Sequence, residues 1–457
     1  MTTRGTVRAL CAMVVGMGML GAAGCAGSQR PEEQRDPEVV TMEGALGNRY
    51  VPAGAVTEII ARLRIGSRAP TTAHRPPINL ALVVDTSGSM DGRPIEDARI
   101  ATAALLGTLH DGDRLAVVAF HSQTEVVLPS TVIDRGRLDE LRETVSHLEA
   151  TGTTDLAGGL RVGLEEVIRH YDPTGINRVV LLSDGVPNDA SIVYGLAQAA
   201  GERSIAITAL GLGTDYDETL LAAISQRSGG QFHYVADSAA VAQVFQDEVL
   251  RMSRMLARNL SIDLRPGPGV RIESVVGQPT VAADGSVRVS VGDLAEGESR
   301  DVIVRLRADG RREGAVVEVM DAVLAFDDAL DSAGRFERRV FLGARSTMSP
   351  DDLASGRDEA VERDAARMMA AAVTVQAIAL ARGGELEQAR AMLSTATAQA
   401  RRSAQAYGDA ELEAQASGMA AVEESFESDS APTSTSPSMP PAAYEAHDRA
   451  MSVIQGN

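Results

Sequence analysis

Residues 78–90 read INLALVVDTSGSM, and this stretch decides the fold. The apolar run that ends at Asp85 predicts a strand buried on both faces, as found in parallel sheets. Directly after it, Asp85, Ser87 and Ser89 offer one carboxylate and two hydroxyls, and Gly88 allows the loop to bend. Side-chain oxygens at the carboxyl end of a central strand are suited to a hard divalent cation. The stretch therefore predicts a metal-binding loop on an α/β sheet.

Two further segments offer oxygen donors at comparable places. TGTTDLAGGL (151–160) carries Thr154 just before a predicted helix, and NRVVLLSDGVPND (177–189) carries Asp184 just after a predicted strand. Thr153 stands beside Thr154, but the spacing to the leucines at 156 and 160 favours Thr154. For DTSGSM alone there is an alternative, in which Ser89 or Asp91 caps a helix that begins near Pro94.

The three motifs DTSGSM, GTTDLAGGL and VVLLSDG together resemble the von Willebrand factor type A domain, over roughly residues 76–255. The resemblance implies a metal-ion-dependent adhesion site whose ligands are Asp85, Ser87, Ser89, Thr154 and Asp184. It also implies Mg²⁺, with Mn²⁺ or Ca²⁺ as alternatives, and a partner protein that offers an Asp or Glu carboxylate to the metal. Mg²⁺ suits such a site because it prefers six oxygens and rarely obtains all of them from protein.

The spacing of strands and helices predicts the architecture around the site. Strand and helix patterns alternate through residues 76–255, which predicts a doubly wound, Rossmann-like parallel sheet. Between residues 256 and 345 the hydrophobic period changes to two, which predicts a β-sandwich. The strand-like pieces in residues 39–75 find no partner in the parallel sheet. We therefore expect them to join the sandwich, with the α/β domain inserted between its halves.

The C-terminal third is predicted to be helical. Residues 351–427 are rich in alanine and predict two long helices and a shorter third. One segment is spaced like a single tetratricopeptide repeat, and the alternative is a helical hairpin packed on the sandwich. The uncharged stretch Met368–Ala381 is too short and too polar to span a bilayer. Residues 428–457 are predicted to be a disordered tail, with a short helix over 444–454 left as an alternative.

The N-terminal segment suggests export. Arg4 and Arg8 precede an uncharged stretch that predicts a signal peptide over residues 1–24. The sequence LGAAGC (20–25) resembles a bacterial lipoprotein box in which Cys25 is the lipidated residue, and ordinary signal cleavage is the alternative. Residues 25–38 would then form a tether. The expected location is the cell envelope, with attachment to the membrane by a lipid anchor.

Composition excludes several function classes. The chain contains no lysine, so all 43 basic residues are arginine. Phosphate-binding loops of the Walker type, Schiff-base sites and kinase sites all require a lysine, so no nucleotide site is expected. The formal net charge of −20 disfavours nucleic-acid binding.

Three hypotheses about function follow, and the sequence favours binding over catalysis. A serine–histidine arrangement of His121 with Ser87 or Ser183 is conceivable, but neither serine lies in a nucleophile-elbow sequence, so we expect no enzyme. The favoured hypothesis is that the protein is a metal-dependent protein-binding module. The alternative is a non-catalytic envelope scaffold with a structural metal and a helical region that recognises partners. The segment GDLAEGESRDVIVRLR also resembles secreted bacterial proteins labelled calcium-activated chloride channel-like, but that label does not indicate conduction.

Overall fold

The structure is a computed structural model, and it describes residues 38–68, 75–184, 190–213, 216–278, 280–283, 285–330, 334–428 and 440–456. The predicted signal peptide, Cys25 and nearly all of the predicted tether lie outside the described residues.

The described residues form strands on both sides of an alternating α/β segment, followed by helices. The strands are β1 (Val40–Leu46), β2 (Tyr50–Pro52), β3 (Thr57–Ser67), β4 (Ile78–Asp85), β5 (Arg114–Phe120), β6 (Thr124–Val132), β7 (Ile176–Ser183), β8 (Ala206–Leu212), β9 (Phe232–Val235), β10 (Met255–Pro266), β11 (Val270–Val275), β12 (Thr280–Ala283), β13 (Ser286–Ala295), β14 (Ser299–Ala308), β15 (Val316–Asp328) and β16 (Arg335–Thr347). The helices are α1 (Arg93–Thr108), α2 (Leu138–Val145), α3 (Leu156–Arg169), α4 (Ala190–Glu202), α5 (Glu218–Ser228), α6 (Val241–Ser253), α7 (Pro350–Ser355), α8 (Glu359–Arg382), α9 (Leu386–Tyr407), α10 (Ala410–Ser428) and α11 (Pro441–Gln455).

The α/β segment is a doubly wound domain, as the sequence predicts. Its sheet has the order β6-β5-β4-β7-β8-β9, so β4 lies near the centre and is buried at every position. Helices α1, α2 and α6 cover one face, and α3, α4 and α5 cover the other. The sheet is parallel except at one edge, where β6, a strand not predicted from the sequence, runs antiparallel to β5. A three-residue turn joins these two strands, and a connection that short allows only an antiparallel neighbour.

The β-sandwich draws strands from both sides of the α/β domain. One sheet has the order β1-β3-β14-β11 and the other β12-β13-β10-β15-β16-β2. Strand β3 pairs with β14 along ten residues, from Thr57 opposite Ala308 to Gly66 opposite Ser299. The α/β domain is therefore inserted in the sandwich, because β3 precedes it in the chain and β14 follows it. The apolar alternation predicted for these strands forms one buried core between the two sheets.

A buried ion pair joins the α/β domain to the sandwich. Arg178 on β7 has no exposed side-chain surface, and its Nη2 donates to Asp293 Oδ2 on β13 at 2.8 Å. Burial lowers the pKa of Arg178 from its ordinary value, and the charge of Asp293 opposes this shift. Removing Asp293 would leave a buried guanidinium without its partner, which is costly.

The C-terminal region is helical, as the sequence predicts. Helices α8, α9 and α10 are 24, 22 and 19 residues long, which matches the predicted two long helices and a shorter third. Of the described helices, α8 alone is long and apolar enough, by length and composition, to cross a membrane. Its alanine-rich faces pack against α9, α10 and α11 and against β3, as a core helix would.

The predicted disordered tail is wrong for residues 440–456. These residues contain α11, which buries a continuous apolar stripe that includes Tyr444, His447 and Met451. Asp448 Oδ1 accepts from Tyr234 N at 3.1 Å, and Gln455 Oε1 accepts from Phe232 N at 3.4 Å. Helix α11 thus covers the edge of β9 and satisfies backbone donors that no strand pairs. Composition alone does not reveal this contact, because the partner surface is more than 200 residues away in the chain.

Candidate metal centre

The first loop of the candidate site is fixed by hydrogen bonds to Asp85, the last residue of β4. Asp85 is fully buried. Its Oδ1 accepts from Ser87 N at 2.9 Å, and its Oδ2 accepts from Ser183 Oγ at 2.7 Å. Burial raises the pKa of Asp85, although the bonds from Ser87 and Ser183 favour the carboxylate. Asp85 therefore orients the loop with one oxygen and contacts the end of β7 with the other.

Hydroxyls and the second carboxylate form a continuous polar row. Ser87 Oγ lies 3.0 Å from Ser89 Oγ, and Ser89 Oγ donates to Asp184 Oδ1 at 2.8 Å. Ser87 and Asp184 are buried, with exposed fractions of 2% and 8%. Because β4 and β7 are parallel neighbours, their carboxyl ends meet at one edge of the sheet. The structure thus brings together four of the five predicted ligands.

The loop that carries Thr154 is attached to the first loop through the backbone. Gly88 N donates to Gly152 O at 3.0 Å, and Thr151 N donates to Thr86 O at 2.7 Å. Thr154 is half-buried, whereas Thr153 is exposed. Among the described residues, the Thr154 hydroxyl makes no hydrogen bond to the other four predicted ligands. The structure therefore places Thr154 on the neighbouring loop without joining it directly to the polar row.

The capping alternative for DTSGSM is wrong. Helix α1 begins at Arg93, and its N-cap residue is Gly92, whose φ is 81° and which supplies no side-chain cap. Ser89 donates to Asp184 instead of capping the helix. By contrast, Asp155 caps α3 by accepting from Gly158 N at 2.9 Å. The DxSxS sequence therefore supplies the polar row rather than a helix cap.

The serine–histidine arrangement is not formed among the described residues. Ser183 Oγ donates to Asp85, and His121 Nδ1 accepts from the backbone of Gln123 at 3.2 Å. Sequence reasoning considered Ser183 only as a nucleophile and so missed its bond to Asp85. Its position at the end of a buried strand, directly before Asp184, is the signal that could have identified it.

The donor set fits a hard divalent cation. In the described part of the chain no group of three or more His, Cys, Asp or Glu residues could hold a metal. The site offers instead two carboxylates and two hydroxyls, all of them oxygen donors of the kind that Mg²⁺ and Ca²⁺ accept. The side chains that donate to Asp85 are uncharged serines, so a bound cation would compensate the buried negative charge. Ser87, Ser89 and Asp184 would hold the metal, with Asp85 behind them and Thr154 as a further hydroxyl donor on the neighbouring loop.

The profile of the von Willebrand factor type A domain matches residues 79–247. The chain contains a von Willebrand factor type A domain. Such domains are typically protein-interaction modules and often bind a divalent metal. The matched residues begin in β4 and end in α6, so they contain every predicted ligand and exclude the sandwich and the C-terminal helices.

Relatives of known sequence and structure extend the similarity beyond this domain. An uncharacterized Synechocystis protein is 28% identical over 298 residues, covering 62% of this chain and 70% of that protein. A human inter-alpha-trypsin inhibitor heavy chain is 26% identical over 238 residues, covering 48% of this chain and 26% of that protein. A solved von Willebrand factor type A structure from Catenulispora acidiphila has a TM-score of 0.70 at 19% identity, covering 90% of this chain and 96% of that one. The ArnB paralog VWA2 from Sulfolobus acidocaldarius has a TM-score of 0.60 at 16% identity, covering 90% and 98%. The fold of most of the chain, and not only of the α/β domain, therefore recurs in other proteins.

Proposed function

We propose that the protein is a metal-dependent protein-binding module of the cell envelope that holds an acidic group of its partner through Mg²⁺. The observation that carries this proposal is the polar row of Ser87, Ser89 and Asp184 at the carboxyl ends of β4 and β7, supported from behind by Asp85. These residues supply fewer oxygens than the six that Mg²⁺ prefers.

The chain's own residues have distinct tasks in this proposal. Ser87, Ser89 and Asp184 would bind the metal, and Thr154 would add a hydroxyl from the neighbouring loop. Asp85 holds the backbone of Ser87 and the hydroxyl of Ser183. When bound, Mg²⁺ supplies a Lewis-acidic position for a carboxylate of the partner. Asp184 is the one carboxylate assigned to the metal, and the other assigned donors are neutral hydroxyls. Its single negative charge does not balance the two positive charges of Mg²⁺, which favours an external anion.

We further propose that the protein acts without catalysing a reaction, and that Cys25 anchors it to the membrane. The acidity of the chain and the absence of lysine support partners other than nucleic acids and nucleotides. The anchor is tested by Cys25→Ala, which should move the protein from the membrane fraction to the soluble fraction. Cys11→Ala is the matched control and should leave the distribution unchanged. Membrane retention of the Cys25→Ala variant would contradict the lipid anchor.

A second candidate function is that of a scaffold, and the position of α11 favours it. Arg300 on β14 donates to Gln455 O, and Gln278 Nε2 donates to Ile454 O at 3.4 Å, while other residues of α11 contact α8 and β9. One helix therefore joins all three parts of the molecule. In this alternative the metal stabilises the loops, and the helical region recognises the partner.

The two functions are distinguished by capture of envelope proteins on the immobilised full chain. We expect retention of a specific protein in Mg²⁺, with loss in chelator and in Asp85→Ala and Ser87→Ala. Thr153→Ala is the matched control, because its side chain is exposed on the loop beside Thr154. Capture that is equal in all conditions would contradict metal-dependent binding and support the scaffold.

A further inference from the structure

The end of β5 and the turn that follows it belong to none of the three motifs, yet together they contact two of the loops that carry them. Thr86, in the first loop, donates to Phe120 O from both N and Oγ1, at 2.8 and 3.1 Å. The turn is closed by His121 N, which donates to Gln123 O at 2.9 Å, and by Gln123 N, which donates to His121 Nδ1 at 3.2 Å. Residues 121–123, which we call the brace turn, thus have a defined conformation beside the candidate metal centre.

The brace turn holds the backbone on both sides of Thr154. Thr153 N donates to Ser122 Oγ at 3.2 Å, and Asp155 N donates to His121 O at 2.9 Å. The amide groups of Thr153 and Asp155, which stand on either side of Thr154 in the chain, are therefore both held by the same turn. Because the backbone is held on both sides of Thr154, the turn also restricts where its Cβ and its hydroxyl can lie.

Gly152 shows that Ser122 packs closely against the second loop. Gly152 has a φ of +72°, and a Cβ at this position would lie 2.2 Å from Ser122 Oγ. The serine hydroxyl therefore occupies the space that any other residue at position 152 would need. The carbonyl of Gly152 also accepts from Gly88 N, which links this contact to the first loop.

We propose that Ser122 is a positioning residue of the metal centre, acting through Thr154. The inference rests on the metal binding proposed above, and it adds a residue from a fourth loop to those of the motif. Ser122 does not touch the metal. It fixes the loop before the ion arrives, so that Thr154 contributes its oxygen without a further loss of backbone freedom.

The test is the affinity of the full chain for Mg²⁺, measured by isothermal titration calorimetry. We expect Ser122→Ala to weaken binding by about 10- to 100-fold, the range usual for partners behind the ligands. Ser122→Thr retains an acceptor hydroxyl and should bind like the unaltered chain. Gln123→Ala is the control, because the described hydrogen bonds of the turn use only its backbone. Melting temperatures in chelator should be equal for all variants, since residue 122 is exposed.

A double variant separates positioning from a general effect on the loops. If Ser122 acts through Thr154, Ser122→Ala adds no further loss of affinity to Thr154→Ala. Additive losses would overturn the proposal, as would a Ser122→Ala variant that binds Mg²⁺ like the unaltered chain. Failure of the unaltered chain to bind Mg²⁺ would overturn the proposed function together with this inference. Normal binding by both the unaltered chain and Ser122→Ala would overturn this inference alone.

Discussion

The candidate metal centre and the contact of α11 with the α/β domain lie on the same sheet but are built in opposite ways. The metal centre uses short polar side chains, and three of its predicted ligands lie within residues 85–89. The α11 contact, which we call the aromatic junction, uses large rings from distant segments. Tyr444 OH donates to Tyr216 O across this contact, and the two residues are 228 positions apart in the chain. The ring partners are Tyr216, Phe232, Tyr234, Tyr444 and His447.

The two regions therefore contribute to different properties, the aromatic junction to folding stability and the metal centre to ligand binding. The rings of Tyr216 and Tyr444 lie 5.4 Å apart, and those of Tyr234 and Tyr444 are stacked at 5.8 Å. Only 3% of the chain is aromatic, so this is a marked concentration of apolar surface. The metal centre, by contrast, concentrates oxygen donors and contributes little apolar burial. We therefore expect substitutions in the aromatic junction to change folding and those in the metal centre to change metal binding.

The largest effect on folding is expected from Tyr444→Ala. Removing a fully buried ring from the aromatic junction should lower the free energy of unfolding by about 3–5 kcal/mol, as large-to-small core substitutions do. Mg²⁺ affinity should not change. Denaturant titration measures the first quantity and calorimetry the second. Tyr171→Ala, at an exposed tyrosine, is the control. Loss of Mg²⁺ affinity in Tyr444→Ala would show that the two regions are coupled.

The reverse pattern is expected from Asp184→Ala. The free energy of unfolding in chelator should change little, but the added stability that Mg²⁺ confers should disappear. That added stability is about 2.7 kcal/mol when Mg²⁺ is present at 100 times its dissociation constant. Thermal unfolding with and without Mg²⁺ measures it. If the Asp184→Ala variant kept the full stability that Mg²⁺ confers, Asp184 would not be a metal ligand.

A pH dependence is expected in the aromatic junction because His447 is buried. Burial and the charge of Arg382 lower the pKa of His447 from 6.5 to about 3, and Asp217 opposes this shift. A histidine whose pKa is lower in the folded state stabilises that state fully above pH 6.5. Docking of α11 should therefore weaken by about 1.4 kcal/mol per pH unit as the pH falls below 6.5. Burial raises the pKa of Asp448, so its protonation stabilises the folded state and opposes the effect of His447 at the acid end of this range.

Hydrogen exchange of α11 at pH 7 and at pH 4, expressed as protection factors that correct for the intrinsic exchange rate at each pH, measures this effect. His447→Phe should remove most of the pH dependence and keep the ring contact with Phe232. His147→Phe, at an exposed histidine, should leave it unchanged. Equal protection factors for α11 at both pH values in the unaltered chain would show that His447 does not control docking.

The smallest effect is expected from Thr153→Ala. The Thr153 side chain is exposed, and only its backbone donates to Ser122. The stability that Mg²⁺ confers should therefore stay within about 0.5 kcal/mol of that of the unaltered chain. Thermal unfolding with and without Mg²⁺ is again the measurement. If Thr153→Ala lost as much Mg²⁺-dependent stability as Asp184→Ala, Thr153 and not Thr154 would be the metal ligand.

The sequence by itself determined the α/β class, the insertion of that domain in a sandwich, and the loops that carry the candidate ligands. Each of these follows from local patterns: buried apolar runs predict strands, period-two alternation predicts the sandwich, and oxygen donors stand directly at strand ends. Only the tertiary structure decided that Ser183 contacts Asp85, that the brace turn holds the backbone around Thr154, and that α11 covers β9. The physical reason is that these contacts join groups that no local period relates, so they exist only once the chain has brought distant surfaces together.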